Sequence, residues 1–123
     1  MTVLLVIVGG GVGAIARFLV DGTVGALLAR HREDINYPLG TLIVNLSGAV
    51  LLGLLFGLGS SHRVMLLLGT ATLGSYTTFS TWMLETHRPA QDGDARLAWL
   101  NIVLSVILGV AAVALGRAIG RAL

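Results

Sequence analysis

Apolar residues run through this chain in four long blocks, and polar residues gather mostly in the gaps between them. The first block runs from Val3 to Val20 with an extension to Leu28, the second from Leu39 to Leu58, the third from Val64 to Leu84 and the fourth from Leu97 to Ile119. A helix of about 18 to 25 apolar residues crosses the roughly 30 Å hydrocarbon core of a bilayer, so each block predicts a transmembrane span. The gaps carry turn chemistry and read as interfacial loops: Arg30 to Asn36 with Pro38, Gly59 to Arg63, and Thr86 to Arg96 with Pro89, Asp92, Gly93 and Asp94. The pattern predicts an all-α membrane protein, one domain over residues 1–123 with spans near 3–28, 39–58, 64–84 and 97–119. The first span has no basic stretch before it and is followed by further spans, so it is expected to be retained rather than cleaved.

Composition agrees with the pattern. Hydrophobic residues make up 55% of the 123 positions, charged residues 11%, and the mean hydropathy is +0.90, far from the balance of a soluble domain. The pI near 9.9 does not imply nucleic acid, because the arginines are scattered over helix ends rather than clustered on one face. With no cysteine, disulfides, thiolate metal sites and thiol nucleophiles are excluded. His31, His62 and His87 sit in loops without a second ligand at a metal-binding spacing. No nucleophile and base pair at reachable spacing lies within the spans, which argues against an enzyme.

Candidate chemistry lies where polarity enters the blocks. Gly74-Ser75-Tyr76-Thr77-Thr78-Phe79-Ser80-Thr81-Trp82 brings a glycine and five serine and threonine hydroxyls into the third block. A backbone that loosens at membrane depth must be buried in protein, line a wet cavity or hold an ion, so this segment predicts a broken helix at a permeation or binding site. Asn45 lies roughly 9 Å into the second span at 1.5 Å per residue, with Thr41 one turn earlier and Gly48 close by. Its amide can donate to an anion or to a neighbouring carbonyl. Asn101 and Ser105 share a face of the fourth span and either line a path or join helices. Arg17 and Asp21 are spaced to pair along the first helix.

Gly9 to Ala14 after the apolar Val3–Val8 run imitates a dinucleotide-binding turn, with Glu33 and Asp34 near the place of a ribose-binding acid. No alternation of strands and amphipathic helices follows, which refuses that reading. Gly9 with Gly13, Gly53 with Gly57 and Gly116 with Gly120 read instead as smooth ridges for close helix packing.

Orientation follows the excess of basic residues in cytoplasmic loops, and here it is nearly even. One side holds Arg63, Arg117 and Arg121, the other Arg30, Arg32, Arg88 and Arg96, with Arg17 within its span. Such a protein is able to insert both ways up, and two oppositely oriented copies would form an inverted repeat.

Gly40-Thr41-Leu42-Ile43-Val44-Asn45 followed by Gly48, and Thr77-Thr78-Phe79-Ser80-Thr81 followed by an aromatic and Glu85, resemble the Fluc (CrcB-type) fluoride channels; Gly10 to Phe18 is similar to that family's first helix. The resemblance implies a passive, fluoride-selective channel that exports cytoplasmic fluoride and so confers fluoride resistance. It is built as an antiparallel, dual-topology dimer in a bacterial plasma membrane, with two pores and a central structural sodium ion. It assigns the sodium to the backbone carbonyls of Gly74 and Thr77. The pore falls to Asn45, Phe79, Ser80, Trp82, Thr41, Ser105 and Asn101, and the vestibule to Arg17 and Glu85. Fluoride is small, strongly hydrated and a potent acceptor, so its dehydration needs close donors.

Trp82 stands where that family usually has a second phenylalanine, and Asn101 where a tyrosine is expected. These departures leave a heterodimer with a paralogous subunit open beside the homodimer. Two rivals remain at this level. A small multidrug-type transporter would need a carboxylate at mid-membrane, and Asp21 lies near a span end beside Arg17. A helix-packing or assembly protein would use Asn45, Phe79 and Ser80 for stability alone.

Overall fold

A computed structural model describes residues 1–31 and 39–123, the side chains of 28–31 excepted. The expected loop through Asn36 and Pro38, and the side chains of Arg30, His31, Arg32, Glu33 and Asp34, lie outside the described residues. Among the described residues the fold is wholly helical. α1 spans Thr2–His31 and α2 spans Leu39–Gly57. α3 covers 62–76 in three windings: an α-turn His62–Val64, a π-helical stretch Met65–Leu73 and a turn Gly74–Tyr76. After a break at 77–79, α4 runs Ser80–Gln91 and α5 runs Ala95–Ala122. The glycine-rich stretch that imitates a nucleotide turn is continuous helix within α1.

Among the described residues three helical stretches are long and apolar enough to cross a membrane: Thr2–Leu27, Leu39–Gly57 and Ala95–Ala122. The third apolar block is not one of them, because it is divided between α3 and α4. Side chains on the outer faces are strongly exposed, among them Ile7, Ile15, Ile107 and Val110. A bundle immersed in hydrocarbon has no reason to hide such groups, whereas water would penalise them by about 25 cal/mol per Å².

What brings the helices together is small residues rather than large ones. α2 lies chiefly against α5, and α1 against α3. At Gly53 a methyl group would strike the Val113 carbonyl, at Gly57 that of Arg117, at Gly116 that of Val50 and at Gly120 that of Leu54. The two ridges therefore interlock, each glycine lying against the backbone of the other helix, as their four-residue spacing predicts. Gly13 does the same on α1, where a methyl would meet the Thr72 carbonyl.

The turns use simple devices. Gly59 and Gly93 take positive φ, +62° and +87°, which closes the ends of α2 and α4 at positions where a Cβ would be strained. Asp94 caps α5 by accepting from the Leu97 amide at 3.0 Å, and Ser61 accepts weakly from Val64 at 3.4 Å. Sequence reading places a loop at 86–96, but α4 continues through Pro89 to Gln91. A single proline near a helix end removes one backbone bond without stopping the chain.

Candidate functional site

The break in the third block is organised by Asn45. In a continuing helix the Thr78 amide would donate to the Gly74 carbonyl; it donates instead to Asn45 Oδ1 at 2.9 Å, and Asn45 Nδ2 donates to the Thr78 carbonyl at 3.0 Å. One side-chain amide thus satisfies both backbone groups of a residue that has left the helix, which removes most of the cost of unwinding at depth. Thr77 adopts extended geometry, φ −75° and ψ 159°, while its own amide and Oγ1 both donate to the Leu73 carbonyl at 2.9 Å. The Thr77 carbonyl accepts from Arg17 Nη1 at 3.3 Å. Arg17 thus turns across to the break and not, as its spacing suggests, to Asp21, whose carboxylate lies over Gly40.

Helix α4 restarts under a local cap. Thr78 Oγ1 accepts from the Thr81 amide at 3.3 Å and donates to Thr81 Oγ1 at 3.1 Å. Threonine at such a position supplies an acceptor for an otherwise orphaned helix amide.

Two cavities meet at this break. One, of about 300 Å³, is bordered by Asn45, Thr77, Thr78, Phe79, Trp82 and Ser105. Asn45 retains one Nδ2 proton beyond the bond to Thr78, since a carboxamide carries two donors. Phe79 is 70% exposed in the single chain and meets Trp82 edge to face, with ring centroids 5.5 Å apart and planes at 61°. Aromatic edges carry partial positive charge. Donors and ring edges line this space and no acidic side chain does, so its electrostatics suit an anion. The other cavity, of about 210 Å³, is bordered by Arg17, Asp21, Thr41, Thr78 and Thr81. Beside it Thr41 Oγ1 donates to Glu85 Oε1 at 2.8 Å, and Glu85 Oε2 is buried with no hydrogen-bond partner among the described residues.

The structure therefore brings Asn45, Thr77, Phe79, Trp82 and Ser105 around one space and gathers Arg17 and Thr41 around its neighbour. Ser80 is exposed outside both, with Oγ 3.4 Å from Thr78 Oγ1. Gly74 is exposed on α3. Asn101 is buried behind the cavity, 2% exposed, where its Nδ2 donates to Thr86 Oγ1 at 2.7 Å and its Oδ1 accepts from Ser105 at 3.4 Å. Trp82 Nε1 donates to Ser105 Oγ at 3.1 Å.

Sequence reading missed Thr78, Thr81 and Thr86 as individual contributors. A signal was present for Thr78, a threonine just ahead of a helix start and so a candidate capping residue, but none for Thr81. Thr86 carried none, because its importance comes from α5. Ser47 and Tyr76 were also missed; their hydroxyls lie 2.8 Å apart and tie α2 to α3 just before the break.

Residues 4–117 match the model of the family described as CrcB-like protein, Camphor Resistance (CrcB). A protein of Mycolicibacterium paratuberculosis named fluoride-specific ion channel FluC 2 is 53% identical over 112 residues, covering 91% of this chain and 88% of that one. One of Symbiobacterium thermophilum named fluoride-specific ion channel FluC 1 is 42% identical over 98% of both chains. One of Coxiella burnetii named fluoride-specific ion channel FluC is 40% identical over the full length of both. With a family match over nearly its whole length and relatives this similar, the chain belongs to the CrcB-like family.

Proposed function

We propose that this chain is a fluoride-selective ion channel, not an enzyme, and that it lets fluoride leave the cytoplasm passively across a bacterial plasma membrane. The observation that carries the reading is the Asn45–Thr78 exchange, which holds a helix open at depth beside a cavity of donors and aromatic edges. The names of its relatives support the choice of ion.

In this reading the third apolar block crosses the membrane as the broken pair α3 and α4, which makes four crossings. Two copies in opposite orientations form the channel, with two pores. The near-even division of arginines between the two ends supports dual insertion. So does the exposure of Phe79 and Gly74 in the single chain, since an ion path and a backbone site both need walls on every side. Arg17 and Glu85 stand at the vestibule, where the guanidinium attracts the anion. Asn45, through its free Nδ2 proton, with the edges of Phe79 and Trp82 and the Ser105 hydroxyl, replaces the anion's water; Thr41 and Ser80 would join the path only if Thr41 turns its hydroxyl from Glu85 and the second copy brings the exposed Ser80 to the pore. Asn101 orients Ser105 from behind.

The Gly74 carbonyl has lost its helical donor, the Thr78 amide, to Asn45, and hard cations take oxygen ligands of this kind. The Thr77 carbonyl accepts from Arg17 Nη1, so for Gly74 and Thr77 from each copy to hold a sodium ion at the centre of the pair, Arg17 would have to release that carbonyl.

The test compares fluoride efflux from liposomes holding the unmodified chain with efflux through Asn45→Asp. The substitution keeps an acceptor for the Thr78 amide but replaces the free donor with a negative charge. Efflux is expected to fall by about a hundredfold or more, as like-charge juxtaposition costs several kcal/mol. Equal efflux from a folded variant would refute the assignment.

A further inference from the structure

Trp82 is held at both ends by one closed hydrogen-bond circuit. Its indole Nε1–H donates to Ser105 Oγ at 3.1 Å, Ser105 donates to Asn101 Oδ1 at 3.4 Å, Asn101 Nδ2 donates to Thr86 Oγ1 at 2.7 Å, and Thr86 Oγ1 donates to the Trp82 carbonyl at 2.8 Å. Every proton in the loop points the same way round. The circuit ties together Trp82 and Asn101, two of the positions at which the chain departs from the pattern it otherwise resembles.

The links are unequal. An O–H donor normally sits about 2.5 to 3.0 Å from its acceptor, so the 3.4 Å reach from Ser105 to Asn101 is the weak one. The indole N–H occupies the oxygen of Ser105 as an acceptor and leaves its hydroxyl proton lightly held at the wall of the cavity that Asn45 also borders. An anion arriving there can accept a hydrogen bond from that hydroxyl at little cost.

We propose that Trp82 is a positioning residue for anion transit that acts through Ser105 as a two-step donor relay, from the indole N–H to the serine oxygen and from the serine hydroxyl to a small anion that is a strong hydrogen-bond acceptor. Donation to an anion makes the serine oxygen a better acceptor, and hydrogen bonds in a chain strengthen one another in a low-dielectric site. The indole bond therefore tightens when the ion is present. A phenylalanine at position 82 would offer a ring edge but no relay. This inference rests on the channel reading above.

The chain contains two tryptophans, and the second, Trp99, is 66% exposed on the outer face of α5. Trp99→Phe therefore leaves Trp82 as the sole indole reporter. In liposomes of that variant, sodium fluoride is expected to produce a saturable red shift of Trp82 emission that sodium chloride does not. Adding Ser105→Ala is expected to abolish the shift. Trp82→Phe in the same background is expected to lower fluoride efflux about tenfold, the order of one hydrogen bond to a charged group. Emission indifferent to fluoride in a variant that conducts it would overturn the relay, whatever Trp82→Phe does to flux, because a packing role would move flux alone. Unchanged flux in Trp82→Phe would overturn it as well. Failure of the Trp99→Phe protein itself to conduct fluoride would instead bring down the channel reading, and the relay with it. Should Trp82→Phe not fold, the emission of the Ser105→Ala pair still decides.

Discussion

At the scale of single residues, the site depends on side chains that substitute for missing backbone partners. Asn45 and Ser105 could be picked out from the sequence because polar groups in an apolar span are few and need a use, whereas Phe79 was picked out only through the resemblance of its motif. What Asn45 bonds to could not be picked out, since its partner is the backbone of a residue 33 positions away. Thr86 shows the same limit from the other side. Its neighbours Pro89, Asp92 and Gly93 made it look like the start of a loop, whereas it is 5% exposed and joins Trp82 to Asn101. Thr86→Val keeps the shape but removes a donor to the Trp82 carbonyl and an acceptor from the Asn101 amide. It is expected to destabilise the protein by about 1 to 3 kcal/mol, read as a lowered Tm in detergent, with Thr86→Ser recovering most of the loss. A Tm unchanged by Thr86→Val would show that the circuit does not hold α4 to α5.

At the scale of helices, three of the four expected spans emerged as single helices close to their apolar bounds, because length and hydropathy alone decide them. The third did not. Its break near Thr77 was signalled by the run of hydroxyl residues, but the π-helical winding of Met65–Leu73 was not, since a wider turn wins through tertiary contacts and not through propensity. One such contact is visible where Gly13 of α1 approaches the Thr72 carbonyl; within the winding itself Thr72 Oγ1 donates to the Leu67 carbonyl at 2.9 Å. The glycine ridges were legible as ridges, though which ridge meets which was not. Their interlocking makes a sharp prediction for α2 and α5. Gly116→Val forces the side chain into the Val50 carbonyl and is expected to cost about 1 to 3 kcal/mol or more, whereas Gly109→Val, at a position with open space around it, is expected to be nearly neutral. Thermal unfolding of the two variants side by side distinguishes them, and equal Tm values would contradict the packing described for this pair.

At the scale of the whole molecule, the proposed channel calls for a second copy. The cavity beside Asn45, the ring of Phe79 and the backbone of Gly74 all lie open at the surface of the single chain. An antiparallel pair would close these surfaces against each other and give each pathway walls from both copies. The nearly equal arginine count was readable from the sequence; the open faces around Phe79 and Gly74 were not, because they exist only once the helices are packed. The most direct measurement is ion efflux from liposomes containing this purified chain alone, followed with fluoride and chloride electrodes. Rapid fluoride release with chloride retained is the predicted result, and fluoride retained by vesicles that hold well-folded protein would contradict a self-sufficient fluoride channel.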